Sequence, residues 1–231
     1  MATWRTARAI GCGVLSSDRV LEIYLITFKG GKVRMFAPAD VVERFENESD
    51  DRIRRFITWL QEHRSKVLAW LGRMLYSGRG YYMKLEARLD PVERVLKAMD
   101  QTDRYVINHS TASDTPQARK NFFARVRRQR IKHVFWCAVD FILSVASLAI
   151  AFLPGPNVVG WYPFLRSLSH YRAFCGTRAV LRSRSVTFKG LPELRTLEEN
   201  LQAPGFDRKR IHAIVKDLKV SGLEQFLERM V

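Results

Sequence analysis

One stretch limits what this chain can become more than any other. Residues 134–153, VFWCAVDFILSVASLAIAFL, run for twenty positions with Asp140, Ser144 and Ser147 as their only polar side chains. Pro154-Gly155-Pro156-Asn157 then breaks the run, and a more mixed segment, VVGWYPFLRSLSHYRAFC, continues to Cys175. About 20 apolar residues is the length a helix needs to cross the hydrocarbon core of a bilayer. Two such limbs around a proline-rich turn point to a central apolar helical hairpin with Pro154 and Asn157 at its tip.

Charge is concentrated around this hairpin. Arg119 to Lys132 contains Arg125, Arg127, Arg128, Arg130 and Lys132 among its basic residues, with no acid. Arg166 to Lys189 contains Arg166, Arg172, Arg178, Arg182 and Arg184, again with no acid. The two blocks hold thirteen basic residues against the single acid Asp140, a surplus of twelve in a chain of net charge +16. So strong a basic balance calls for an anionic partner, either a phospholipid surface or nucleic acid. Its placement on both sides of an apolar segment favours lipid, so the chain is expected to be a membrane-associated module.

Lys and Arg favour the side from which a segment is inserted. Both blocks are therefore expected on one side, cytoplasmic or matrix, of an inner membrane (bacterial cytoplasmic or mitochondrial). A hairpin satisfies this and a single crossing does not. Arg166 lies within the second limb, where an unpaired arginine costs about 2.5–3.5 kcal/mol on insertion scales. Asp140, the only acid in the first limb, is its expected partner. Asp140, Arg166, His170 and Arg172 are accordingly candidates for an ion or proton path, against the plainer reading that they tie the limbs together or contact lipid phosphate. The competing placements are a single crossing or an interfacial limb, and a buried pair of helices in a soluble core.

The remainder reads as a mainly α (α+β) chain: a helical bundle with the central apolar hairpin and a small N-terminal β-hairpin. Its expected divisions are 1–115, an α+β domain; 116–190, the hairpin with its basic flanks; and 191–231, short C-terminal helices. Leu21 to Phe28 and Val33 to Phe36 flank a Gly-containing turn, the pattern of a β-hairpin. A short helix from Pro38 to Asn47 and a second from a cap at Ser49-Asp50-Asp51 to Tyr76 follow, the second with a basic face and an apolar face. A further helix is expected over 81–89. Asp90-Pro91-Val92-Glu93 supplies a cap, a first-turn proline and the glutamate of a capping box for a helix ending near Met99. Tyr105 to His109 reads as a strand able to join the β-hairpin, and Pro116 opens one long helix to Leu153. Arg178 to Lys189 reads as a loop or frayed helix end, and three short helices close the chain.

Catalytic signatures are missing. His63, His109, His133, His170 and His212 stand apart from one another, with no second His, Cys or carboxylate at metal-ligand spacing, so neither a zinc site nor any cofactor is expected. Ser169-His170 are adjacent and cannot alone form a nucleophile–base pair. No glycine-rich nucleotide fingerprint occurs. The chain does not read as an enzyme. Cys12, Cys137 and Cys175 are sparse and odd in number, which suits a reducing compartment. The first residues lack the apolar core of a secretory signal; Arg5 and Arg8 give them a faint likeness to a mitochondrial presequence, or simply a short basic arm.

Phe152-Leu153-Pro154-Gly155-Pro156-Asn157, then Trp161-Tyr162-Pro163-Phe164-Leu165-Arg166-Ser167-Leu168-Ser169-His170-Tyr171-Arg172-Ala173 with Gly176 beyond, resembles the mitochondrial potassium–proton exchange-related protein family, which includes bacterial members. The start of the β-hairpin near Tyr24 and the ending Phe226-Leu227-Glu228-Arg229 are similar more weakly. The resemblance implies an inner-membrane protein with an accessory or structural role in cation and proton homeostasis, acting with a transporter partner or as a homo-oligomer. It carries no catalytic residues over. The alternative from another class is a soluble basic module that binds nucleic acid or an anionic lipid surface through Arg125 to Lys132 and Arg178 to Arg184. A third is a scaffold recruiting partners to anionic lipid.

Overall fold

A computed structural model describes residues 20–66, 68–69, 72–73, 76, 90–150, 158–203 and 208–230. The helix expected over 81–89, and the hairpin tip with Pro154 and Asn157, lie outside these residues.

The β-hairpin forms as its sequence dictates. Strands β1 (Val20–Phe28) and β2 (Lys32–Phe36) pair antiparallel, with Thr27 opposite Val33. Gly30 and Gly31 between them both take positive φ, 78° and 71°, which side-chain-bearing residues resist. Strand β3 (Arg104–Ser110) joins β1 in parallel, Ile23 against Ile107. A fourth strand, β4 (Ser185–Leu191), lies parallel to β3, completing the order β2-β1-β3-β4. The stretch 178–189, expected to be a loop or frayed helix end, is the end of a helix as far as Arg182 and a strand from Ser185, and the strand is the correction. Val186 and Phe188 are the only alternating apolar residues β4 offers, because an edge strand that is half covered needs no more.

Parallel neighbours require a crossover connection. Between β1 and β3 the chain passes through α1 (Ala39–Glu62) and α2 (Pro91–Ala98), then a 3-10 turn to Gln101. The expected break at Ser49-Asp50-Asp51 does not occur; α1 runs through it for 24 residues. At α2 the sequence reading holds in part: Asp90 Oδ1 accepts the Val92 N–H at 3.0 Å and Pro91 opens the helix. Between β3 and β4 the crossover is α3 (Thr115–Ile150) and α4 (Val158–Arg182), two long helices packed antiparallel. Helices α5 (Pro192–Gln202), α6 (Arg208–Leu218) and α7 (Leu223–Met230) follow.

Alternate residues of β1 supply both faces of the sheet. Leu21, Ile23 and Leu25 pack with Val42 and Phe45 of α1, Val95 and Leu96 of α2, Phe122 and Val126 of α3, and Ala173 and Val180 of α4. Tyr24 and Ile26 pack on the other side with Leu194 and Leu197, Ile211 and Val215, Leu223 and Phe226. The result is three layers, with the sheet between two sets of helices. Strands from 20–110 and 185–191 thus share one sheet, and the C-terminal helices close its second face.

Candidate functional site

Helix α3 reverses its polarity at His133. One stripe faces inward from Ala118 to Ser147. At the base it is Ala118, Phe122 and Val126; farther out it is His133, Asp140, Ser144 and Ser147, all buried. The outward surface changes the opposite way. Arg127, Arg128, Arg130 and Lys132 are exposed at the base. Beyond them Val134, Phe135, Trp136, Phe141, Ile142, Leu143 and Val145 stand between 44% and 65% exposed. On α4 the same arrangement recurs, with Ser167, Ser169 and His170 inside and Tyr162, Phe164, Leu168 and Tyr171 outside. Large apolar side chains scattered singly over a surface mean little, but a continuous collar of them marks an interaction surface.

The outer part of the α3–α4 pair therefore exposes large apolar side chains and buries a set of polar ones together with Leu165. Among the described residues no helix is long and apolar enough to cross a membrane. The structure thus lends no support to the crossing expected of residues 134–153.

Where the hairpin meets α2, ionisable side chains converge. Nδ1 of His133 and Nδ1 of His170 are 2.9 Å apart, so one ring donates its N–H to the other. Nε2 of His170 lies 3.5 Å from Asp140 Oδ2, an oxygen that is buried without a hydrogen-bond partner. From α2, Glu93 Oε1 accepts the Ser169 hydroxyl at 2.5 Å and the Arg166 Nη1–H at 3.1 Å. Lys97 Nζ is 3.7 Å from the same oxygen, one helical turn along α2 and 1% exposed. Farther out, the Ser167 hydroxyl donates to the Cys137 carbonyl at 3.1 Å.

The expected Asp140–Arg166 pair is not what forms. Arg166 turns out of the hairpin to Glu93, and Asp140 is left facing His170. Glu93 is in turn a glutamate of the first helical turn, as expected, but its carboxylate serves this cluster. Arg172 is half-buried on α4.

Electrostatics follow from burial. Loss of water pushes His133 down to about 4, with Lys132, Arg166 and Lys97 adding to the effect and Glu93 opposing it. His170 is pushed down to about 4 as well, by burial first and then by Arg166, again against Glu93. Both rings are thus neutral at physiological pH. Asp140 is raised, chiefly by burial, with Arg166 pulling the other way. Burial also pushes Glu93 up, but Lys97, the Ser169 hydroxyl and Arg166 together outweigh it and hold the carboxyl below its usual range. Glu93 and the two imidazoles present one ligand atom each, all within 4.8 Å of one another, in a geometry able to hold a metal ion.

The remaining candidates form a separate region. Because His133 meets His170 and Arg130 lies over the Phe174 ring at 5.6 Å, the two basic blocks sit at the same end of the hairpin. Arg178, Arg182 and Arg184 are exposed there, beside Arg127, Arg128, Arg130 and Lys132. Arg125 is half-buried, and burial together with Arg34 and Arg128 nearby lowers its proton affinity.

Glu93, Lys97, His133 and Ser169 escape a reading of the sequence as site residues, since they lie far apart along the chain. One signal was present. Positions 133, 137, 140, 144 and 147 are spaced by four, three, four and three, the period of a helix face turned to a partner, and all five carry His, Cys, Asp or Ser.

Compared with known protein families, residues 42–183 match the family model described as mitochondrial K+-H+ exchange-related. No curated protein and no solved structure matches the chain.

Proposed function

The chain belongs to the mitochondrial K+-H+ exchange-related family, and on that premise we propose that it is an accessory protein of potassium–proton exchange, held at a mitochondrial-type inner membrane by the outer surface of the α3–α4 hairpin. The observation that carries this reading is the polarity reversal at His133. Water favours the opposite arrangement, with polar groups outside and apolar groups inside.

The energetic argument is direct. Fully burying a large apolar side chain yields about 1.5–3 kcal/mol. Seven on α3 that are each about half exposed offer roughly 5–10 kcal/mol to an apolar medium that covers them. The basic residues sit at the base of the apolar collar, where a hairpin dipping into one face of a bilayer brings them level with the headgroups. Each Lys or Arg near an anionic surface adds about 1 kcal/mol. Hairpin and charges therefore act on the same surface from adjacent positions.

The test is co-flotation of the full chain with vesicles of phosphatidylcholine and phosphatidylglycerol, beside Phe141→Glu combined with Ile142→Glu. Wild-type protein floats with the vesicles through a high-salt wash, and the double variant stays at the bottom with an unchanged far-ultraviolet spectrum. In mitochondria lacking the chain, potassium-dependent proton exchange is slowed, and wild type restores it where the double variant does not. A wild-type chain that leaves the vesicles in salt alone, or unaltered exchange without the chain, sinks the reading.

A further inference from the structure

We propose that Glu93, His133 and His170 form a binding site for one divalent transition-metal ion, with Asp140 as the outer carboxylate that orients His170. Neutral imidazole is the form that ligates metals, and two imidazoles with a carboxylate suit Zn2+ and its neighbours in the first row. The three residues are buried, at 4%, 3% and 4% exposure, and their ligand atoms already converge. They come from three helices, α2, α3 and α4, so an ion there ties the hairpin to the body of the protein.

The contact between the two rings is the geometry of such a site without its ion. Zn–N bonds of about 2.0–2.1 Å place two ligand nitrogens of a tetrahedral site about 3.3 Å apart. The Nδ1 atoms stand at 2.9 Å, with a shared hydrogen between them in place of the ion. A metal fits when the pair opens by about 0.4 Å and both rings swing so that their Nδ1 lone pairs point at the ion instead of at each other.

Asp140 supplies a second and independent observation. Ligation through Nδ1 leaves the hydrogen of His170 on Nε2, and Nε2 faces Asp140 Oδ2 at 3.5 Å. That oxygen is buried and has no hydrogen-bond partner. A carboxylate behind the far nitrogen of a ligating histidine fixes its tautomer and strengthens it as a ligand.

Lys97 and Arg166 act against a cation. Both bear on Glu93 Oε1, which leaves Oε2 to turn toward the ion. The carboxylate of Glu93 faces both of these positive groups, and that of Asp140 lies within the influence of Arg166, as well as facing the incoming dication. Affinity is accordingly lower than in zinc sites made of thiolates.

The experiment is a calorimetric titration of the metal-free full chain with Zn2+ alone, repeated on His133→Gln, His170→Gln, Asp140→Asn and, as a surface control, His212→Gln. One ion binds per chain, and His212→Gln leaves the affinity unchanged. His133→Gln and His170→Gln weaken binding by roughly 100-fold or more, and Asp140→Asn by about 10- to 100-fold. Substituting Co2+ in the wild type gives the intense visible bands of a four-coordinate site, a readout that survives if the histidine variants do not fold. No Zn2+ bound by the wild type, affinity untouched by both histidine substitutions, or only the pale spectrum of six-coordinate Co2+ overturns the proposal.

Discussion

His133 and His170 are separated by 37 positions in the chain, yet their Nδ1 atoms meet at 2.9 Å inside the hairpin. Each ring is neutral because burial pushes it down to about 4, whereas a histidine in the unfolded chain titrates near 6.5. Between those values the unfolded state binds more protons than the folded one. Stability therefore rises with pH across that window and is lost as pH falls from about 6.5 toward 4. Glu93, held below its usual range, extends the loss to lower pH in the same direction. Urea unfolding of the metal-free protein at about pH 7 and pH 5 measures the drop, and the double substitution His133→Gln/His170→Gln shrinks it.

At Gly176 the backbone of α4 comes directly against that of α2. A Cβ built there falls 1.7 Å from the Leu96 carbonyl oxygen, and backbone cannot move aside as a flexible side chain can. Gly176→Ala is expected to cost at least the roughly 1–3 kcal/mol typical of overpacking. Thermal melts of the full chain show it as a lowered midpoint. An unchanged midpoint means that α4 is set farther from α2.

Glu93 neutralises two cations at once. Replacing it with glutamine leaves Lys97, at 1% exposure, and Arg166 without that carboxylate. Removing one partner of a buried ion pair costs about 3–5 kcal/mol. The exposed pair Arg195–Glu199 is the contrast: Arg195→Ala is expected to cost less than about 1 kcal/mol. Equal effects from the two substitutions, read by denaturant unfolding, contradict the buried role assigned to Glu93.

Leucines on the two surfaces separate packing from docking. Leu194 is fully buried against the sheet, so Leu194→Ala is expected to destabilise by about 2–5 kcal/mol. Leu143 is 52% exposed on the hairpin, and Leu143→Ala is expected to change stability in lipid-free solution by less than about 0.5 kcal/mol. Vesicle binding reverses the ranking, weakening for Leu143→Ala and holding for folded Leu194→Ala.

Much of this architecture was legible beforehand, for reasons visible residue by residue. The β-hairpin at Gly30-Gly31, the capped start of α2 at Asp90-Pro91 and the long helix after Pro116 each follow from local chemistry. The resemblance to the family carried by residues 152–176 held as well, since these fall within the matched span 42–183, whereas the weaker likenesses near Tyr24 and at 226–229 fall outside it. Strand β4 was not legible, since Val186 and Phe188 alone carry its alternation between basic neighbours. The cluster was hidden more deeply. Asp140 and Arg166 look like natural partners when only the two limbs are considered. Glu93 lies 73 positions before Arg166 and draws it away, which only the docking of α2 against α4 brings about. The polarity of the hairpin was half legible: the run 134–153 shows how apolar it is, while the four-three spacing of its few polar residues shows which way it faces.

The place of the hairpin between β3 and β4 bears on the order of events during synthesis. The sheet cannot acquire its last strand until the chain has travelled out along α3 and back along α4, because β4 is made only after both. Helices α5 to α7, which cover the second face, come later still. If lipid receives the hairpin as it leaves the ribosome, the membrane acts before the core is closed. The half-finished sheet then waits at the bilayer surface, and insertion is a step of folding.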